Sequence, residues 1–250
     1  MLWRPGLVLS LFAVPLKAVS PREFVEHYAM TYGLWSAYTV VPVQRSCLLD
    51  YPFHLQRMAM SLRQLHPGGE RALPDTRQLD AAVSGAICGL RGDNLSGYLT
   101  LCAHLTAELE PRVNALLTPK DIDLGLGTPA LPHGVTVDTV EYRRERWEAK
   151  YAGWTLERRP LEANRRPIAA ETVLTEKSPE MRSLLLEGMT SNLFVIENGE
   201  VVTAAEGVLH GSMASLLMRH LREERLPIAL RKPSMDDSDK WSAVFLTSEA

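Results

Sequence analysis

The 250-residue chain has little lysine. Lys17, Lys120, Lys150, Lys177, Lys232 and Lys240 are its six lysines, and the other 21 of its 27 basic residues are arginine. Arginine stays protonated and cannot serve as an amine nucleophile, so covalent amine chemistry has few candidates. Cysteine is also scarce. Cys47, Cys88 and Cys102 are an odd number without metal-ligand or Cys-x-x-Cys spacing, which excludes a disulfide framework and predicts reduced, buried thiols in an intracellular compartment. The seven histidines include no His-Glu-x-x-His and no pairing with cysteine, so metal chemistry is set aside. Charge of one sign is lacking: a formal net charge of −3 gives no reason to expect nucleic acid or an anionic membrane as partner. A long hydrophobic run is missing too. Leu7–Val14 follows Arg4 and precedes Ala18-Val-Ser20, but it is too short to span a bilayer. Residues 1–20 therefore read as a targeting segment or as a first strand. No internal repeat is present.

The composition, 46% hydrophobic and 23% charged, is that of an ordinary globular protein of one large or two small domains. Ser20 and Pro21 open a helix through Tyr32. Ala37–Val43 and Ser46–Leu49 read as strands joined by Gln44-Arg45. Pro52–Leu65 carries an apolar side made of Phe53, Leu55, Met58, Leu62 and Leu65 and reads as a helix, ended by Pro67-Gly-Gly69. Thr76–Leu90 is a further helix and Ser96–Ala103 a strand. Gly125–Gly134, rich in glycine and proline, is the candidate linker between an α/β domain over 21–124 and a second domain over 135–250. Beyond it, Val135–Tyr142 alternates as a strand and Arg143–Lys150 is strongly charged. Asn198-Gly199 marks a tight hairpin, because both central positions of a type I′ turn require positive φ. Gly211–Glu224 is a helix, and Ile228–Arg231 and Ala243–Thr247 are the last strands.

The most informative segment is Leu185-Leu-Glu-Gly-Met-Thr-Ser-Asn-Leu-Phe-Val-Ile196, followed by Gly207-Val-Leu-His-Gly211. Glu187 ends an apolar run where burial is plausible. Gly211 stands where a helix begins, so the backbone amides of Ser212 and Met213 can face an anion. An acid for a ring nitrogen and amides for a phosphate are what a buried aromatic phosphate cofactor needs.

This segment resembles the signature of the fold type IV pyridoxal-phosphate enzymes, the branched-chain aminotransferase-like family that includes aminodeoxychorismate lyases. The resemblance runs from about Ser36 to Ser248 and is strong in the second half. It implies an α/β fold with a small N-terminal domain, a larger C-terminal pseudo-barrel, and pyridoxal 5′-phosphate in the cleft between them. Lys150, in Ala149-Lys-Tyr-Ala-Gly-Trp154 and followed by Arg159-Pro-Leu-Glu162, takes the place of the lysine that forms an imine with the cofactor aldehyde. Glu187 takes that of the carboxylate that keeps the pyridine nitrogen protonated. Arg57, in His54-Leu-Gln-Arg57, matches the arginine set against the phosphate, where a guanidinium fork suits the geometry. Ser191, Asn192, Leu209, Gly211, Ser212, Met213, Thr247 and Ser248 complete the cofactor-binding set. The family also implies amino-acid and 2-oxo-acid substrates, a homodimer, and a cytoplasmic or organellar location.

Several positions depart from the family pattern. Pro42 stands where an arginine usually follows Ala-Tyr-Thr, and Trp154-Thr155 replace a tyrosine that commonly follows the lysine. His210, Ser212, Met213 and Ala214 replace Leu-Pro-Gly chemistry beside Gly211. The chain stops at Ala250, where family members continue for another strand or more, so the resemblance implies a shortened ending. Transamination is the expected reaction. Lyase activity on aminodeoxychorismate and an inactive, binding-only member are the alternatives. A serine hydrolase built on Ser191 and His210 is disfavoured, because Gly188-Met-Thr-Ser-Asn192 is not a Gly-x-Ser-x-Gly elbow and no acid is placed to orient His210.

Overall fold

The computed structural model describes residues 20–32, 36–66, 76–88, 95–119 and 134–248. The first strand or targeting segment expected over 1–20 lies outside these residues apart from Ser20, as does nearly all of the expected linker.

Helix α1 (Pro21–Tyr32) begins where the sequence places it. Ser20 Oγ accepts from the Glu23 amide at 3.2 Å, and the Ser20 amide donates to Glu23 Oε2 at 2.8 Å. This reciprocal capping box satisfies two donors that a helix start otherwise leaves open. Strands β1 (Ser36–Gln44) and β2 (Cys47–Leu48) form a hairpin. Its turn is Arg45-Ser46, both at positive φ, one residue later than the expected pair. Helices α2 (Tyr51–Leu65) and α3 (Thr76–Ile87) follow, then β3 (Gly97–Leu105) and β4 (Pro111–Pro119). The four strands make an antiparallel sheet ordered β2-β1-β3-β4. Strand β4 has no counterpart in the sequence reading: a proline at each end and Asn114 within it disguise its pattern.

The second sheet is larger. Strands β5 (Thr136–Glu141), β6 (Ala169–Lys177), β7 (Ser183–Gly188), β8 (Asn192–Glu197), β9 (Glu200–Thr203), β10 (Ile228–Leu230) and β11 (Trp241–Thr247) belong to it. Their order is β10-β9-β8-β7-β6-β5, and β11 pairs with β8 beside that path. Strand β7 meets β8 only at Glu187 and Asn192. The sheet therefore opens at that point, where β8 continues against β11 over Asn192–Glu197, and it curves into a half-barrel. Asn198 and Gly199 have φ of 51° and 84°, the left-handed pair expected of the β8–β9 hairpin. Between β5 and β6 lie two short helices absent from the sequence reading, α4 (Trp154–Glu157) and α5 (Arg159–Asn164). Strand β6 was also missed. Helix α6 (Ser212–Glu223) joins β9 to β10.

One apolar core links both sheets. Val41 and Leu101 of the first, with Met58 and Leu62 of α2, pack in the same cluster as Leu174 and Leu186 of the second and Met189 just beyond β7, with Tyr151 and Trp154 also in it. Cys102 is buried, as expected, but Cys47 and Cys88 are exposed. The short hairpin β1–β2 and the end of α3 lie at the surface, so two of the three thiols are not sheltered.

Candidate active site

A cavity of about 340 Å3 opens where the two sheets and the 144–158 segment meet, within the usual range for small-molecule sites. Its wall includes Lys150, Glu187, Ser191, Asn192, Leu209, Gly211, Met213, Thr247 and Ser248. Residues about 100 positions apart in the sequence thus share one cavity.

Lys150 is placed by its backbone. The segment 150–152 lies beside the start of β1: the Tyr38 amide donates to the Lys150 carbonyl at 2.9 Å, the Ala152 amide donates to the Ser36 carbonyl at 3.0 Å, and Tyr151 bridges to Ala37. The Lys150 amide donates to Ser61 Oγ of α2 at 3.0 Å. Its Nζ lies 5.4 Å from the centre of the Tyr38 ring.

Glu187 is 3% exposed. Its Oε1 accepts from Arg144 Nη1 at 2.9 Å and its Oε2 from the Leu209 amide at 2.9 Å. Burial raises its pKa above the ordinary carboxylate value, and Arg144 opposes that rise only in part. A buried acid tolerates this position because its charge is paired. Arg144 is itself fixed. It donates to the Ala149 carbonyl at 3.0 Å and lies over the Trp154 and Tyr151 rings, 4.7 and 5.7 Å from their centres.

The turn after Glu187 is shaped by Glu171 on β6, which is 6% exposed. Glu171 Oε2 accepts from Thr190 Oγ1 at 2.7 Å, Ser191 Oγ at 3.0 Å and the Thr190 amide at 3.2 Å, and its Oε1 accepts from the Thr172 amide at 2.9 Å. Gly188 is required here: a Cβ would lie 2.2 Å from Ser191 Oγ and 2.9 Å from Glu171 Cγ. Asn192 then carries the order across to the loop before α6. Its Nδ2 donates to the Leu209 carbonyl at 2.7 Å and its Oδ1 accepts from the Gly211 amide at 2.9 Å. That approach leaves a Gly211 Cβ only 2.9 Å from Asn192 Oδ1.

Helix α6 starts without a side-chain cap, and its first intrahelical bond is from the Ser215 amide to the Gly211 carbonyl at 2.9 Å. The preceding amides have no intrahelical acceptor, as at every helix start. Gly211, Met213 and Ala214 of this start line the cavity. Ser212 does not; its side chain is buried. Two threonine hydroxyls on the wall, Thr100 Oγ1 and Thr247 Oγ1, are buried without a hydrogen-bond partner. A buried hydroxyl in that state calls for a polar ligand.

Arg57 is not part of the wall. Successive strand residues face opposite sides, and Arg57 lies behind β1, where its Nη2 donates to Thr39 Oγ1 at 2.9 Å, while Tyr38 and Val40 face the cavity. Trp154 and Thr155, which replace the family tyrosine, donate to the carbonyls of Met189 and Ala152 at 2.9 and 2.6 Å.

A family model for amino-transferase class IV matches residues 36–249. The chain belongs to the class IV aminotransferase family. Among solved structures, this class IV chain resembles the 4-amino-4-deoxychorismate lyase from Pseudomonas aeruginosa with 22% identity and a TM-score of 0.65, covering 88% of this chain and 81% of that one. The fold IV-transaminase CpuTA1 from Curtobacterium pusillum matches with 21% identity and a TM-score of 0.62, over 88% and 77%. An aminotransferase from Brucella abortus bound to PLP matches with 18% identity and a TM-score of 0.59, over 85% and 77%. A search of curated proteins gives no significant match. At these identities the solved structures establish the fold: two strand-rich α/β units of fold type IV, whose members are pyridoxal-phosphate-dependent aminotransferases or lyases. Arg144, Glu171 and Thr100 escaped the sequence reading. The arginine sits in a charged run that reads as solvated, and the other two lie on strands whose partners only the fold supplies.

Proposed function

We propose that this protein is a pyridoxal-phosphate-dependent aminotransferase that moves an amino group between an amino acid and a 2-oxo acid. The observation that carries the reading is the meeting of Lys150, Glu187 and the uncapped start of α6 in one cavity. The donor set fits the cofactor: one amine, one buried acid, a helix start for the phosphate, and the unpartnered Thr247 hydroxyl. When bound, pyridoxal phosphate supplies the electron sink that makes the substrate Cα–H bond acidic.

In this reading Lys150 would anchor the cofactor aldehyde and, once its amine is free, would take the substrate Cα proton as general base and later give it up as general acid. Glu187 holds a proton at the ring nitrogen; its buried setting, with a pKa already raised by burial, favours sharing that proton. Arg144 keeps Glu187 in place. The amides of Ser212 and Met213, with Thr247 and Ser248, hold the phosphate. Ser191 and Asn192 shape the turn beside the ring, and Leu209 braces Glu187 through its amide. Arg57 stands behind β1, and its proposed phosphate contact requires the guanidinium to turn from Thr39 into the cavity. We also propose that 21–124 and 135–250 act as two domains around the site, and that two copies pair as the family resemblance implies.

The test is a spectrum of purified protein with added pyridoxal phosphate. A visible absorption band that borohydride removes, with the label recovered on Lys150 by peptide mapping, supports the reading; no band overturns it. An amino donor is then supplied without an acceptor. A transaminase stops after one equivalent of oxo product, whereas a lyase continues to turn over.

A further inference from the structure

The charges around the cavity do not balance. Among the described residues its wall carries four basic side chains, Arg22, Arg144, Lys150 and Arg158, and one acidic side chain, Glu187. Arg144 pairs with Glu187, and Lys150 is the amine assigned above. Arg22 and Arg158 remain. Arg22 reaches the cavity from α1, and Arg158 from the junction of α4 and α5.

Both arginines lean on one carboxylate. Arg22 Nη2 lies 2.6 Å from Glu162 Oε2, and Arg158 Nε lies 2.9 Å from Glu162 Oε1. Arg22 Nε also meets Glu26 at 2.8 Å, and Glu26 in turn binds Arg159 at 2.6 Å. Three guanidinium groups thus share two carboxylates, so the cluster keeps a positive charge at the cavity. The Arg158 side chain is only 12% exposed, which weakens screening of its charge by salt. Each guanidinium has five donors in a rigid fork, and Glu162 meets only one edge of each. Arg158 Nη1 otherwise reaches just the Met189 carbonyl, at 3.5 Å.

We propose that Arg158, with Arg22 beside it, receives a carboxylate of the substrate, and that Glu162 is the positioning residue that holds the two together. This rests on the aminotransferase reading, in which the cofactor phosphate lies at the start of α6. The second anionic group of the complex, the carboxylate common to amino acids and 2-oxo acids, then meets the α1–α5 side. A planar carboxylate suits the guanidinium fork. Because amino donor and oxo-acid acceptor both carry that group, one subsite serves both halves of the transfer.

The experiment uses the full chain loaded with pyridoxal phosphate, as wild type, Arg158→Gln, Arg158→Lys and Arg22→Gln. Formation of the visible band is read first. Its absence in the wild type refutes the functional reading rather than the subsite. With the band present, spectral titration compares alanine, glutamate and ethylamine, the last being alanine without its carboxylate. Arg158→Gln is expected to weaken alanine about ten- to hundredfold, to leave ethylamine within about twofold, and to be partly rescued by Arg158→Lys. Arg22→Gln has the same sign and a smaller size. A loss confined to glutamate assigns the subsite to a distal carboxylate; a loss shared by alanine assigns it to the α-carboxylate. Equal losses for alanine and ethylamine, or none, overturn the proposal, and Arg22→Gln decides the matter if Arg158→Gln does not fold.

Discussion

The two sides of the cavity are held by different means. On the half-barrel side, Glu171, Glu187, Asn192 and the amides of Leu209 and Gly211 form a connected set of buried hydrogen bonds. On the other side, β1 and β3 present Tyr38, Val40 and Thr100, while α1 is fastened to α5 by ion pairs whose arginines are 45–52% exposed. Exposed ion pairs contribute little and respond to salt and pH, whereas a buried network is costly to disturb. In the proposed function, holding ring and phosphate, the invariant part of the chemistry, falls to the rigid side, and contact with variable substrates to the side that can shift at small cost.

The largest effect should come from the rigid side's chemical partner. Lys150→Ala is expected to lower transamination by about a thousandfold or more while the melting temperature stays near that of wild type, measured by a coupled oxo-acid assay and by calorimetry. Next comes Glu187→Ala, which leaves Arg144 buried without its carboxylate. It should cost about 3–5 kcal/mol in chemical unfolding, and a cost near zero would remove the claim that this side is a tight buried network. Gly188→Ala forces a methyl against Ser191 and the clamped Glu171; a loss of about 1–3 kcal/mol is expected, with weaker retention of pyridoxal phosphate on dialysis.

The smallest effect belongs to the α1 side. The hydrogen bonds from Arg159, followed by those from Arg22, hold Glu26 below the ordinary carboxylate pKa. A carboxyl whose folded pKa is depressed stabilises the fold above its unfolded pKa, and that stability is lost as pH falls through the folded value. Glu26→Gln should therefore lower the melting temperature modestly at neutral pH, and the difference from wild type should shrink in acid and vanish once pH has fallen through the depressed folded value. A difference that persists in acid would mean that α1 is held by packing alone, through Val25, Tyr28 and Ala29.

How much could be read beforehand follows the same division. Glu187, Gly188, Ser191, Asn192 and Gly211 lie close together in the chain, so their spacing reports a strand end, a turn and a helix start directly. The helix start at Ser20-Pro21 and the Asn198-Gly199 hairpin are equally local, and both appear in the structure as expected. Strands β4 and β6 were missed, because Asn114 and Glu171 interrupt patterns that only their neighbours justify. Glu171 reads as a solvated acid until β6 is seen to run under the turn it clamps. Arg57 is the opposite case: its local pattern places it on a helix beside β1, where it is found, but the face of β1 on which it lies is set by pairing and packing.

The sequence by itself determined the family, the scarcity of amines that leaves six lysines as candidates, the local geometry around Glu187 and Gly211, and the start of α1. These depend on backbone preferences and short spacings within a few residues. The tertiary structure alone decided that Arg144 pairs with Glu187, that Glu171 braces the turn, that Arg57 stands behind the wall, and that Arg22 and Arg158 face the same cavity. Those relations join residues tens to more than a hundred positions apart, and burial in a shared core brings such residues together where no local rule can.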